Sequence, residues 1–276
     1  MSIEDVSMAA SMSSPLDVAV SLRDRNVIDM VKEAIEIGNV LLAFQPVVMT
    51  ATPDHPAFYE ALARVRDKTG RIIPAAQFMN EIETHEIGRL LDCRSLELGL
   101  KKLIEMPKLR LSINMSARSI GYKQWVRTLE TAPAEHPNLG KRLILEITES
   151  SAMVMPDIVR MFMGDLQSRG VTFALDDFGA GYTSFRYLRD FYFDILKIDG
   201  QFIRGISDDT DNQVLIEALM AVGRHFEMFT VAESVESAQD AAYLSSIGMD
   251  CLQGYYYGVP SLTIALPSSA PAVQAG

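Results

Sequence analysis

Eight short apolar runs, separated by longer segments with helical periodicity, constrain the fold of this chain more than any other feature. The runs span 41–48, 58–64, 109–116, 143–148, 171–177, 194–199, 229–235 and 251–257. Segments between them, such as 86–104 and 214–226, space their apolar residues as the buried face of a helix does. Strands that alternate with helices indicate an α/β fold. Eight of them predict a closed (β/α)8 barrel.

The first two runs lie too close together for a helical crossover. Only residues 49–57 separate them, whereas a parallel connection needs a dozen or more residues. We therefore expect these two strands to pair antiparallel. The predicted architecture is a modified TIM (β/α)8 barrel with an antiparallel first strand, which occupies residues 25–262 between flexible tails at 1–24 and 263–276.

Composition narrows the class of partner and the compartment. The formal net charge of −11 and the pI of about 4.9 argue against binding to a DNA or RNA polymer. Cys93 and Cys251 have neither metal nor redox spacing, which favours a reducing compartment. Residues 1–20 lack a secretory signal, and no apolar run approaches the ~18 residues of a membrane span. We expect a cytoplasmic protein that does not associate with membranes.

Polar residues interrupt or follow the apolar runs at positions that a barrel would bring together. They are Glu60, Asn114, Glu146, Asp176, Asp177, Lys197, Glu233 and Gln253. The C-terminal ends of barrel strands converge on one rim, which is where active sites of such barrels lie. The pattern therefore predicts a rim lined by acids, amides and one amine.

A group of buried carboxylates requires cations to offset its charge. Oxygen ligands without His or Cys favour Mg²⁺ or Mn²⁺ over zinc, and adjacent Asp176 and Asp177 suit a pair of ions. Two such ions can hold both the attacking and the leaving oxygen of an in-line phosphoryl displacement, so phosphodiester hydrolysis is the natural reaction. Taken singly, Asp176-Asp177 also fits a turn and Lys197 an ordinary buried ion pair. Their occurrence on successive strands favours a site.

The same positions belong to a series of motifs that resembles the EAL domain family. Glu60-Ala61-Leu62 matches the signature that names the family. Six further blocks follow in the family's order: Ile113–Ser116, Leu145–Ser150, Asp176–Ser184, Lys197–Asp199, Ala232–Glu236 and Gln253–Tyr255. The resemblance covers roughly residues 27–262. It implies hydrolysis of cyclic di-GMP to linear pGpG with two Mg²⁺ or Mn²⁺ ions.

The resemblance also implies roles for individual residues. Glu60, Asn114, Glu146 and Asp176 look like ligands of one ion, and Asp176, Asp177 and Glu233 like ligands of the other. Lys197 would contact the attacking water, with Glu233 as an alternative general base. Gln45, Arg64, Glu236 and Gln253 resemble substrate or water contacts. Glu149 resembles the residue that anchors the loop after Asp177, which implies a homodimer.

The chain departs from the family pattern at several positions that are not metal ligands. Ser234 stands where a Gly usually follows Glu233, and Val259 where a basic residue often precedes Pro260. Two other functions remain open at this point. One is a catalytically silent cyclic di-GMP receptor or regulatory module, and the other is a barrel metalloenzyme of different specificity, such as an enolase-like lyase. Metal-dependent turnover of cyclic di-GMP would distinguish the enzyme from both.

Overall fold

The computed structural model of the chain describes residues 15–180 and 188–264, with side chains from Asn26 onward. These residues form the strands β1 (Val40–Met49), β2 (Thr52–Arg66), β3 (Ile72–Pro74), β4 (Leu111–Asn114), β5 (Leu143–Thr148), β6 (Thr172–Phe178), β7 (Ile195–Ile198), β8 (Phe229–Ala232) and β9 (Cys251–Gln253). The α-helices are α1 (Pro15–Glu36), α2 (Met79–Ile82), α3 (Glu86–Glu105), α4 (Lys123–Glu135), α5 (Glu149–Val154), α6 (Pro156–Ser168), α7 (Thr210–His225) and α8 (Ala238–Ser246).

Eight of these strands close into a barrel, as the sequence predicts. The hydrogen-bonded order is β1-β9-β8-β7-β6-β5-β4-β2, and pairing of β1 with β2 completes the ring. From β2 through β9 the barrel neighbours are parallel, while β1 is antiparallel to both β2 and β9. The antiparallel first strand is thus confirmed.

The β1–β2 hairpin is longer than the apolar pattern indicates. Pairing continues to Met49 opposite Thr52, so only Thr50 and Ala51 form the turn. Shifts in register at Val47–Val48 and Val48–Met49 carry the pairing past the prolines of β2, which have no N–H to donate. The short strand β3, which pairs with the end of β2, was not among the predicted strands.

The helices cover the outside of the barrel. Trp125 of α4, Met163 of α6 and Ile216 of α7 are buried against the same core as Phe173 and Leu196 of the sheet. A second core lies at the rim end of β2, where Val31 of α1 packs with Phe78 and Leu91. None of the helices in the described part of the chain is long and apolar enough to cross a membrane.

The first helix begins at Pro15, inside the segment 1–24 that was expected to be a flexible tail. The remaining parts of the two expected tails, 1–14 and 265–276, lie outside the described residues.

Candidate active site

The parallel register brings the predicted polar residues to the C-terminal rim of the barrel. Asn114 of β4 is level with Glu146 of β5, and Thr148 at the end of β5 is level with Asp176 of β6. Glu60 lies on β2, Lys197 on β7 and Gln253 on β9, and Glu233 directly follows β8. Residues separated by almost two hundred positions in the chain therefore face one another.

Lys197 lies at the centre of this group and is fully buried. Its Nζ is 2.7 Å from Glu233 Oε1, 2.8 Å from Glu146 Oε2, 2.9 Å from Asp176 Oδ1 and 3.3 Å from Glu60 Oε2. The Asp176 contact is an ion pair by distance, although the two groups are not aligned for a hydrogen bond. We call Glu60, Glu146, Asp176 and Glu233 the acidic cluster. One ammonium cannot neutralise four carboxylates.

Amide side chains fix the carboxylate of Glu60. Asn114 Nδ2 donates to Glu60 Oε1 at 2.9 Å, and Gln253 Nε2 donates to Glu60 Oε2 at 2.6 Å. Gln253 Nε2 also lies 3.2 Å from Gln45 Oε1, and Gln45 Nε2 donates to the carbonyl of Gly258 at 3.1 Å. This chain of hydrogen bonds connects Glu60 to the segment after β9.

Burial and charge move the pKa values of the acidic cluster in different directions. Burial raises the pKa of Glu60, but the Lys197 charge and the hydrogen bonds from Gln253 and Asn114 outweigh it, so the value lies below normal. Burial, with the charge of Glu60, raises the pKa of Glu146 well above normal. Burial also raises the pKa of Glu233 well above normal, because Lys197 offsets only part of the penalty. Without a further cation, the cluster therefore favours partial protonation.

Lys197 itself responds to the same charges. Burial alone lowers its pKa, but the attraction of Asp176, Glu146, Glu233 and Glu60 raises it well above the normal value. The ammonium is therefore charged throughout the physiological range and acts as a fixed positive centre.

Asp177 lies next to this cluster, with a carboxylate oxygen within 4.8 Å of oxygens of Asp176 and Glu233. It is exposed and has φ of 54°, in the left-handed region that Asp tolerates better than most residues. Partial burial of its carboxyl group and the adjacent charge of Asp176 raise its pKa to about 6. The backbone thus directs the carboxylates of Asp176 and Asp177 to the same rim despite their adjacency.

The donor set fits a pair of hard divalent cations. Glu60, Glu146 and Asp176 each offer a carboxylate oxygen within 4.8 Å of the others, and so do Asp176, Asp177 and Glu233. The two groups share Asp176, and neither contains His or Cys. Glu146 Oε1 is buried without a hydrogen-bond partner, a costly state that a cation would relieve. All-oxygen ligands of this kind suit Mg²⁺, Mn²⁺ or Ca²⁺.

Four other predicted residues lie outside the acidic cluster. Gln45 is buried beneath it, where its amide contacts Gln253 and Gly258. Arg64 Nη1 donates to the carbonyl of Ala63, and exposed Glu236 lies 3.6 Å from Arg204 Nε. Glu149 begins α5, and most of the loop that it was expected to anchor lies outside the described residues.

A cleft of about 600 Å³ extends from the acidic cluster toward α2 and α3. Asn80, Glu83 and Asp92 line its far end. Asp92 was not predicted as a site residue. Its carboxylate Oδ2 accepts hydrogen bonds from the Ser116 backbone N–H at 3.0 Å and from Ser119 Oγ at 2.6 Å. The signal available in the sequence was an acid between two apolar residues, Leu91 and Cys93. Both of these neighbours are buried in the structure.

Comparison with known proteins finds a matching family model and several relatives. Residues 28–260 match the family model described as EAL domain. The bifunctional diguanylate cyclase/cyclic di-GMP phosphodiesterase MucR of Pseudomonas aeruginosa is 32% identical over 237 residues, which cover 83% of this chain and 34% of MucR. The probable cyclic di-GMP phosphodiesterase PdeN of Escherichia coli is 32% identical over 236 residues, which cover 82% of this chain and 44% of PdeN. The chain thus spans less than half the length of these two relatives.

A solved structure described as the PaMucR phosphodiesterase in complex with c-di-GMP has the same fold. It superimposes with a TM-score of 0.74 at 29% identity, over 86% of this chain and 97% of that one. The barrel architecture predicted from the sequence is therefore confirmed by both the strand order and this likeness.

Proposed function

The chain belongs to the EAL domain family, and on this premise we propose that it hydrolyses cyclic di-GMP to linear pGpG with two divalent cations, Mg²⁺ or Mn²⁺. The proposal rests on two sets of carboxylate residues, each able to hold one cation. The two sets share Asp176, which pairs with buried Lys197. A receptor for the nucleotide would need the cleft, but it would not need two cation sites.

The residues divide into two ligand sets. Glu60, Asn114, Glu146 and Asp176 would hold one ion, and Asp176, Asp177 and Glu233 the other. Bound dications supply a Lewis acid for the phosphoryl oxygens and lower the pKa of a nearby water. In the described structure Asn114 donates to Glu60, so this amide would have to turn its oxygen toward an ion to act as a ligand.

Lys197 organises the carboxylates and adds a fixed positive charge beside the phosphoryl group. Glu233 is the candidate to accept the proton of the attacking water, because it lies at the edge of the cluster and keeps part of its side chain exposed. The water oxygen bonds to phosphorus, the P–O3′ bond breaks, and the departing 3′ oxygen takes up a proton. The product is the linear dinucleotide with a 5′ phosphate.

The cleft supplies room for the remainder of the nucleotide. Its volume of about 600 Å³ falls within the usual range for small-molecule sites. Hydrogen-bond acceptors at its far end, Glu83 and Asp92, suit the N–H groups of a purine base. Arg64 and Gln253 remain proposed contacts at the rim, and buried Gln45 would act on the ligand through Gln253.

The test is chromatography of cyclic di-GMP after incubation with the protein in Mg²⁺, in Mn²⁺ or in EDTA. We expect pGpG with either metal and none in EDTA. Glu60→Ala and Asp176→Asn should abolish turnover while the circular dichroism spectrum is unchanged, and Glu217→Gln, at an exposed position on α7, should behave as wild type. Tight nucleotide binding without any product would support the receptor instead. Turnover that persists in EDTA would refute the two-metal reaction.

A further inference from the structure

The residue after Glu233 has an unusual backbone conformation. Ser234 has φ of 54°, in the left-handed region, which costs a residue with a Cβ of the order of 1 kcal/mol or more. Such a conformation persists only where the surroundings enforce it. The contacts of Ser234 therefore indicate what holds the segment that presents Glu233 to the acidic cluster.

The backbone on both sides of Ser234 is attached to neighbouring strands. The Glu233 N–H donates to the carbonyl of Ile198, the last residue of β7, at 3.2 Å. The Val235 N–H donates to the carbonyl of Gln253 in β9 at 2.9 Å. Ser234 lies between these two hydrogen bonds, which attach the residues on either side of it to β7 and β9.

The Ser234 side chain packs directly over Gly200. A Cβ built on Gly200 would overlap Ser234 Oγ and lie 2.6 Å from Ser234 Cβ. Any larger residue at position 200 would therefore displace Ser234. This close approach sets the position of the Ser234 hydroxyl against the turn that follows β7.

Arg204, four residues after Gly200 in the turn that follows β7, completes the arrangement. Its backbone N–H donates to the Gly200 carbonyl at 3.0 Å, and its Nη2 donates to Ser234 Oγ at 3.0 Å. Its Nε lies 3.6 Å from Glu236 Oε1. One guanidinium therefore contacts the residues at positions one and three after Glu233. In the described part of the chain, Arg204 forms neither a hydrogen bond nor an ion pair with Glu233 itself.

We propose that Arg204 is a positioning residue for Glu233: by holding Ser234 and Glu236, it fixes the strained segment that presents the Glu233 carboxylate to the second cation. The inference rests on the proposed function only for the assignment of Glu233 to that cation. It predicts that loss of Arg204 loosens one cation site and leaves the barrel intact.

If Arg204 served only to stabilise the fold, its removal would lower the thermal stability of the protein. The side chains of Arg204 and Glu236 are 58% and 55% exposed, and an ion pair at such a surface contributes little to global stability. Removal of Arg204 should therefore barely change thermal unfolding in EDTA. An effect on cation affinity with no matching effect on unfolding is the signature of positioning.

The experiment is calorimetric titration of the protein with Mn²⁺ alone. Arg204→Ala should weaken the site that depends on Glu233 by about fivefold to tenfold, the loss expected for one typical hydrogen bond. The site that depends on Glu60 should change by less than about twofold. Arg204→Lys should recover part of the affinity, because one ammonium can replace one of the two contacts. Arg160→Ala, which removes an arginine of similar exposure on α6, is the matched control.

A double-mutant cycle tests the route through Ser234. Ser234→Gly removes both the strain and the hydroxyl that Arg204 contacts. In that background Arg204→Ala should have less than about half of its effect, as a free-energy change, on Mn²⁺ affinity. Equal losses in both backgrounds, or equal weakening of both cation sites, would overturn the inference.

The test of the Arg204 role gives a result that does not depend on whether the proposed hydrolysis occurs. A wild-type protein that binds two Mn²⁺ ions but releases no pGpG would refute the hydrolysis and leave the Arg204 titrations interpretable. Unchanged Mn²⁺ affinity in Arg204→Ala would refute the positioning role even if wild-type turnover is normal.

Discussion

Lys197 Nζ lies 2.8 Å from Glu146 Oε2, and both residues have no exposure to solvent. Three more carboxylates approach the same ammonium within 3.3 Å. The pair is therefore not an isolated salt bridge, because Lys197 offsets only part of the negative charge that surrounds it. Cations bound as proposed would offset the same negative charge as Lys197, so the contribution of one would depend on the presence of the other.

Lys197→Met tests this dependence. Removal of one partner from a buried ion pair costs about 3–5 kcal/mol of unfolding free energy, because the remaining charges stay buried. We expect a loss of this size in EDTA, and a larger stabilisation by added Mn²⁺ than in wild type. Urea denaturation in EDTA and in Mn²⁺ measures both values. The control is Lys102→Met, at a partly exposed ion pair with Glu105, which should change stability by less than about 1 kcal/mol. Identical losses with and without Mn²⁺ would contradict the shared role.

Asp92 makes stability depend on pH. Burial raises its pKa from 3.8 to about 6. Between these values the folded protein keeps a proton that the unfolded chain has released, so rising pH lowers the unfolding free energy. The upper limit is about 3 kcal/mol, at about 1.4 kcal/mol per pKa unit, and partial solvent contact reduces it. Above about pH 6 the penalty is constant.

Asp92→Asn cannot titrate and should lack this dependence. We expect wild type to lose stability relative to the variant as pH rises from 4 to 7, by at most about 3 kcal/mol. Urea denaturation of both proteins at each pH gives the difference directly, and the other acids cancel. A difference that does not change with pH would show that Asp92 has an ordinary pKa in the folded protein.

Local sequence patterns were sufficient for the barrel and for the acids at its rim. Runs such as 143–148 have the continuous apolar pattern that is typical of a buried parallel strand, and Glu146 stands out within this run. The antiparallel first strand followed from the short connection alone. In contrast, β3 has three residues, one of them Pro74, and a pattern this short carries no periodicity.

Contacts between side chains on different strands of the barrel could not be predicted from local sequence patterns. The sequence places Lys197 in a strand but does not show that four carboxylates surround it, since those residues come from β2, β5, β6 and the end of β8. The contact of Arg204 with Ser234 likewise depends on the separation between β7 and β8 and on the absence of a side chain at Gly200. These contacts are set by tertiary packing.

Arg142 stabilises the end of α3 and should not affect the site. Its Nη1 donates to the carbonyls of Leu103 at 2.7 Å, Met106 at 3.1 Å and Leu109 at 3.1 Å. Arg142→Ala would remove the donor from the Leu103 and Leu109 carbonyls, while Met106 keeps the Leu109 N–H, at a cost of about 1–3 kcal/mol in unfolding free energy. We expect lower stability in urea with Mn²⁺ affinity within about twofold of wild type. Lys141→Ala, at the exposed neighbouring position, is the control, and an equal loss there would refute the assignment.

Gly254, unlike Arg142, should affect the site, because its missing side chain leaves space for the segment after Glu233. A Cβ at position 254 would overlap the Val235 backbone and lie 2.6 Å from its carbonyl carbon. The Val235 N–H also donates a hydrogen bond to the Gln253 carbonyl. A shift of the Val235 backbone would therefore strain this hydrogen bond and shift the residues that precede Val235. Gly254→Ala should therefore displace Glu233 and weaken Mn²⁺ binding by about tenfold or more, together with a loss of stability. Gly164→Ala, in α6 with open space around it, should instead gain about 0.5–1 kcal/mol. Wild-type Mn²⁺ affinity in Gly254→Ala would show that the Glu233 carboxylate is placed independently of the Val235 backbone.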